Sequence, residues 1–200
     1  MVDTAPGLAG ADDAGLGPLP DRSVVPPLWG RITNLVVERG EGSWLITRDG
    51  ERYLDYSSGI GVTNTGHAHP RVVAAVQAQA AKILHAQQNI TYHEPGLRLY
   101  DRLSRLLPGD GWGAFLSNSG AEAMEGAIKA ARKWGYDQKG IPYPEAEIVV
   151  AEGNFHGRTT TIVSFSTDAD ARKDYAPFTP GFKVIPYGDA QALREAIDDS

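Results

Sequence analysis

The sequence predicts an α/β protein: a mainly parallel sheet with helices on both faces, preceded by a small antiparallel amino-terminal segment. Three observations carry this prediction. Leu35 to Ser57 alternates apolar and polar residues around an Asp49-Gly50 turn signal, the pattern of antiparallel hairpins. From Pro70 onward the apolar spacing becomes helical. Beyond residue 113, the short apolar runs "AFLSN", "AEIVVA" and "FKVIPYG" alternate with helical segments, which implies parallel strands joined by crossovers.

Taken in order, residues 1–27 are rich in Ala, Gly, Pro and Asp and read as a mostly disordered tail. Three strands are expected in "LVVERG", "SWLITRDG" and "ERYLDYSS", with Gly40 and Gly42 in the earlier turn. A glycine-rich loop follows, "SGIGVTNTGHAHP". Pro70 suits a first helical turn, and Val72, Val73, Val76, Ala80, Ile83 and Leu84 mark one apolar face. A second helix is expected from Glu94 to Leu107, with Leu99, Leu103, Leu106 and Leu107 inward. A third covers residues 119–134, with Met124, Ala127, Ile128, Ala131 and Trp134 on one side. Asp189 is placed to cap a helix over "DAQALREAI". "TTTIVSF" reads as a strand by propensity, yet follows Gly157-Arg158 without a turn signal, so its type stays open.

Composition narrows the function. The 200 residues carry a formal net charge of −6, with Lys and Arg scattered and no basic stripe of the kind nucleic-acid binders show. There are no cysteines, which excludes disulfide scaffolds and thiolate metal sites. No apolar run approaches the roughly 20 residues that span a membrane, and the start lacks the pattern of a secretory or transit signal. The expectation is a soluble cytoplasmic protein without nucleic-acid, membrane or metal partners.

Two stretches carry chemistry. In "SNSGAEAMEGAIKAARKWG", Ser119 and Glu122 have capping-box spacing, and Gly120 and Ala121 leave the first turn bare. A hydroxyl beside exposed amides at a helix start makes an anion site, although a capped helix alone would show the same residues. The P-loop spacing is absent, and Gly59-Ile60-Gly61 fails as a dinucleotide fingerprint because Asn64 stands where the third glycine belongs. The second stretch is "FHGR", just past "EIVVA". Phe155 offers a flat stacking surface, His156 a hydrogen-bond donor or acceptor, Gly157 a close backbone approach and Arg158 a fork for a carboxylate. Alone, these residues also fit core, loop and surface roles. Together the stretches suit a flat, phosphorylated ring that works on amino acids, as pyridoxal phosphate does.

"NSGAEAMEGAIKAAR" and "FHGRT", some 35 residues apart, resemble the class III (ω-amino acid) aminotransferases of fold type I. "LDYSSGIGVTNTGHAHPRVVAAVQAQ" and "QNITYHEPGLRLYDRL" are similar to the same family, nearest its 4-aminobutyrate, ornithine and acetylornithine members. The resemblance covers about residues 28–200. It implies that residues 28–60 belong to a small domain and 61–200 to the first part of a large, pyridoxal-phosphate-binding domain. It implies that Ser119, Gly120 and Ala121 bind the cofactor phosphate. Phe155 would stack on the cofactor ring with His156 beside it, Arg158 would take the substrate's distal carboxylate, and Ile60 would line the substrate entrance. It also implies a helix after "FHGRT", an amino donor and a 2-oxo acid acceptor as substrates, and a homodimer.

The family's Schiff-base lysine, its ring-nitrogen aspartate and a second arginine have no counterpart here. Lys82, Lys129, Lys133, Lys139, Lys173 and Lys183 all lie outside the expected lysine motif. The expectation is therefore a piece of a longer enzyme, inactive alone because covalent catalysis needs the amine. The alternative is a catalytically incomplete homologue that serves as a binding or dimerisation partner.

Overall fold

The computed structural model describes residues 21–26 and 31–197, in two compact units divided between His93 and Glu94. The expected tail falls mostly on residues 1–20, outside those described. At its end, Arg22–Val24 forms one 3-10 turn whose start is capped by the Asp21 carboxylate.

In the first unit, β1 (Val37–Glu41), β2 (Trp44–Thr47) and β3 (Arg52–Leu54) form an antiparallel sheet in that order. The alternating pattern sets the register: Trp44 pairs with Glu41 on one side and Leu54 on the other. The Asp49-Gly50 turn forms as the sequence predicts, with the Gly50 amide donating to the Thr47 carbonyl at 2.9 Å. Arg52 lies over the Trp44 ring, 4.8 Å from its centroid. A short turn, α1 (Ser58–Gly61), and the helix α2 (Pro70–Ala80) follow. α2 stops short of Ile83 and Leu84, and Val72 and Val76 stay exposed. An amphipathic face is buried only where another element covers it, and none of the described elements of this unit does so.

The second unit opens with α3 (Glu94–Ser104), which ends three residues before the expected Leu107. Of the four leucines expected inward, Leu103 is half-buried while Leu99, Leu106 and Leu107 are exposed. "AFLSN" forms no strand: Phe115 is 83% exposed. A strand exists only through its ladder, and no described strand lies alongside this segment.

α4 (Gly120–Trp134) runs on into a π turn over Gly135–Lys139. Next come β4 (Ile148–Ala151), α5 (Thr160–Ser164), α6 (Ala169–Arg172), β5 (Phe182–Ile185) and α7 (Ala190–Ala196). β4 and β5 pair in parallel, Ile148 opposite Phe182 and Ala151 opposite Ile185, so the expected parallel sheet is represented by two strands. α7 is capped by Asp189, whose carboxylate accepts from the amides of Gln191 and Ala192, both at 2.9 Å. α5 decides the ambiguous "TTTIVSF" in favour of helix: Thr159 caps it, and burial of Ile162 and Val163 overrides their β propensity.

Buried Ile128, Ile162 and Phe165 form the core, with Ala121, Met124, Ile148, Val150 and Phe182 packed against them. Phe165 and Phe182 meet with ring centroids 4.4 Å apart. α4 therefore buries the stripe Ala121, Met124 and Ile128, while Ala127, Ala131 and Trp134, expected on the same side, are exposed. The buried stripe is set by the loop and helix that pack on α4, and helical spacing alone does not specify where those lie. Phe165 is 1% exposed, and emptying such a site in a packed core costs about 3–5 kcal/mol. Phe165→Ala is expected to destabilise the second unit by that amount in denaturant titration, whereas Phe155→Ala, at a largely exposed position, is expected to change stability by less than about 1 kcal/mol.

Candidate functional site

The first turn of α4 is open to a ligand. Ser119 has extended backbone, and its Oγ accepts the Glu122 amide at 3.2 Å. The Glu122 carboxylate reaches back to the Asn118 amide at 2.7 Å, one residue before the usual capping-box partner. These bonds leave the amides of Gly120 and Ala121 without partners among the described residues. A Cβ built on Gly120 would meet nothing within 4 Å, so the space above the helix start is free. Uncommitted amides at the positive end of a 15-residue helix fit an anionic group.

The loop after β4 is seated against that turn. Gly157 has φ +126°, and a Cβ there would lie 2.7 Å from Ala121 Cβ and 3.2 Å from Ile162 Cδ1. Only glycine permits this approach. Two residues on, the Thr159 hydroxyl donates to the Glu125 carboxylate. Ala121 and Glu125 are four apart and share one face of α4, so the loop is held at two points along the helix. Asn154 ties the other end of the loop down: its Nδ2 donates to the carbonyls of Ala151 at 2.7 Å and Phe165 at 3.2 Å. Its Oδ1 is buried without a partner among the described residues.

Between these anchors, the His156 ring packs 5.9 Å from that of Phe165. Phe155 is 73% exposed, with the Arg158 guanidinium carbon 5.7 Å from its ring centroid. Asn154, Phe155, His156, Arg158, Ser166 and Asp168 line a cleft of about 330 Å³, the size of a small-molecule site. The Gly157 approach to Ala121 brings the loop of Phe155, His156 and Arg158 beside the helix start of Ser119, Gly120 and Ala121: uncommitted amides, an exposed aromatic ring and an exposed cation, while the cleft itself is lined by the loop and α5–α6 residues. These residues suit a flat ring bearing a phosphate. Ile60 belongs to the first unit, where it is 96% exposed in an unusual turn. The sequence reading missed Asn154, Thr159 and Glu125. The four-residue spacing of Ala121 and Glu125 was a signal for the last of these.

Among the described residues of the first unit, Asp55 is strongly perturbed. Asp55 has its carboxyl lowered to about 2, by the Ser57 hydroxyl first, then by His67 and the amides of Ser57 and Ser58. The Asp55 side chain is 5% exposed, and its Oδ2 lies 2.7 Å from His67 Nε2.

A helix start with uncommitted amides, set against an aromatic and cationic strand-end loop, defines an α/β scaffold with a candidate anion and ring site. The chain belongs to the class-III aminotransferases, whose family profile matches residues 28–199, and that family is pyridoxal-phosphate-dependent. An ornithine aminotransferase from Bordetella pertussis is 47% identical over 164 residues, 82% of this chain and 39% of that protein. An ornithine aminotransferase from Toxoplasma gondii, solved with pyridoxal phosphate at partial occupancy in its active site, superposes with a TM-score of 0.81. It is 35% identical and covers 88% of this chain, which covers 40% of it. The acetylornithine aminotransferase of Elizabethkingia anophelis gives a TM-score of 0.68 at 41% identity, over 85% of this chain and 40% of its own. The chain thus spans about two fifths of the length of the relatives it matches.

Two outcomes follow from the geometry. Gly157→Ala must push the loop off α4 and is expected to destabilise the second unit by about 1–3 kcal/mol in chemical denaturation, and an unchanged midpoint would show that the loop does not depend on this contact. Asp55 has a folded pKa below its unfolded value, so its contribution is complete above about pH 4 and fades as pH falls towards 2. The acid loss of stability in that window is expected to be shallower in Asp55→Asn than in the parent.

Proposed function

We propose that the protein acts as a pyridoxal-phosphate-dependent aminotransferase. It moves an amino group from an ω-amino acid of the 4-aminobutyrate, ornithine or acetylornithine type to a 2-oxo acid. The same proposal makes it a cytoplasmic homodimer, C2 symmetry being the commonest closed form. The observation that carries the reading is the contact of Gly157 with Ala121, which brings the anion-binding turn and the aromatic-cationic loop to one place. The ornithine and acetylornithine relatives support the donor class.

Pyridoxal phosphate, when bound, supplies an electron sink that lets an amine and a carbonyl exchange nitrogen. This chain supplies binding and orientation. The Ser119 hydroxyl and the amides of Gly120 and Ala121 take the phosphate, a charge-assisted set at a helix start. Phe155 would stack on the ring and shield it from water. His156, backed by Phe165, would stand beside the ring with a nitrogen available for a hydrogen bond. Arg158, exposed beside the Phe155 ring, would offer its planar fork to a donor's distal carboxylate and so set the donor's direction. Ile60 borders the donor's path. The covalent step requires a lysine outside the residues assigned here.

In the full-length protein, Gly120→Asp places a carboxylate in the cradle and is expected to weaken cofactor binding at least tenfold, about 1.4 kcal/mol. Arg158→Lys is expected to leave cofactor affinity unchanged and to raise KM for donors with a distal carboxylate, with donors lacking it little affected. Cofactor titration by absorbance and steady-state kinetics on a panel of ω-amino donors check both. No spectral change with any donor would defeat the reading.

A further inference from the structure

The loop that carries Ile60 is backbone-strained and tightly anchored. Ser58, Gly59, Ile60 and Gly61 have φ of +48°, +61°, +61° and +78°, a full turn of left-handed backbone. A β-branched residue rarely adopts that conformation, and strain of this kind persists only where the surroundings over-determine it. Here the surroundings are Asp55 and His67. Asp55 Oδ1 accepts from the Ser57 amide at 2.9 Å, the Ser57 hydroxyl at 2.6 Å and the Ser58 amide at 2.9 Å. Its Oδ2 meets His67 Nε2, twelve residues on. His67 is itself fixed to the sheet: its amide donates to the Gly42 carbonyl at 2.7 Å, and its carbonyl accepts from the Gly42 amide at 3.1 Å. Gly40 leaves room for it, since a Cβ there would fall 2.5 Å from His67 Cβ. Inside the turn, the amides of Ile60 and Val62 donate to the Ser57 and Ser58 carbonyls, both at 2.8 Å, and the Ser58 and Thr63 hydroxyls lie 2.9 Å apart.

We infer that Asp55, tethered by His67, is a positioning residue that holds Ser58–Gly61 in the left-handed turn and so presents the Ile60 side chain. The link to an amino donor rests on the function proposed above, whereas the clamp rests on this geometry alone. The local hydrogen bonds account for the conformation, and the exposure of Ile60 accounts for its use: an apolar side chain held out by strained backbone contributes nothing to the core.

The test uses amide hydrogen exchange at Ile60–Thr63 in the full-length, cofactor-loaded protein. Asp55→Ala removes every bond that the carboxylate makes, and exchange at these amides is expected to rise at least about tenfold, while the β2–β3 ladder changes by less than about twofold. Asp55→Asn keeps an oxygen for Ser57 and Ser58 and an amide for His67, so it is expected to retain most of the protection. Asparagine is tolerated in left-handed backbone, so adding Ile60→Asn to Asp55→Ala is expected to restore protection. In kinetics, Asp55→Ala is expected to raise donor KM with cofactor affinity retained. Should Asp55→Ala not fold, His67→Ala cuts the tether from its other end and the same amides are read. Unchanged exchange at Ile60–Thr63, or an equal rise across the whole sheet, overturns the clamp. Raised exchange with an unchanged donor KM overturns the link to Ile60. A parent without transaminase activity defeats the proposed reaction, and the exchange comparison still decides the clamp.

Discussion

The second unit depends on the close approach of Gly157 to Ala121. With no Cβ at Gly157, backbone lies directly on the first turn of α4, and Ile162 closes the contact from below. Together with the Thr159–Glu125 and Asn154 bonds, this contact positions the candidate site. Upstream, Phe155 is largely exposed while His156 rests on Phe165. Downstream, Thr159 caps α5 and bonds Glu125, which seats the buried Ile162 in the core. One missing methyl group therefore links the hydrophobic core to the residues proposed to hold the cofactor.

The same corner separates stability from function. Ile128, Ile162 and Phe165 are buried and belong to the core. Phe155 and Arg158 are exposed, with the guanidinium near the ring, and exposed positions of this kind add little to folding. Residues kept out of the core, next to uncommitted amides, are available to a ligand without a rearrangement of packing. The first unit solves a comparable problem differently. It spends a buried carboxylate and a histidine on a few residues of unfavourable backbone, with Asp55 joining the end of β3 to a loop tied back to the β1–β2 turn.

The chain was most legible where local chemistry decides the structure. The three antiparallel strands followed from alternation and the Asp49-Gly50 turn, β4 and β5 from short apolar runs, and α4 and α7 from the caps at Ser119 and Asp189. It was least legible where a neighbour decides. "AFLSN" has the composition of a strand but no ladder, and the leucines of α3 have helical spacing but little cover. The buried stripe of α4 was partly misassigned for the same reason: which of two adjoining faces is buried depends on where α5 and the Phe155 loop pack.

By itself, the sequence singled out the groups proposed to carry the chemistry. Ser119, Gly120, Ala121, Phe155, His156 and Arg158 stand out because a hydroxyl, bare amides, a ring and a guanidinium have few joint uses. Only the tertiary structure decided how these groups meet. Glu125 and Thr159 lie 34 residues apart and bond across two helices, Asp55 and His67 lie 12 apart and pin a strained turn, and Gly157 fits against Ala121 with no room to spare. Hydrogen bonds and steric contacts between distant segments are set by the packing of whole elements, and local sequence patterns report only the elements themselves.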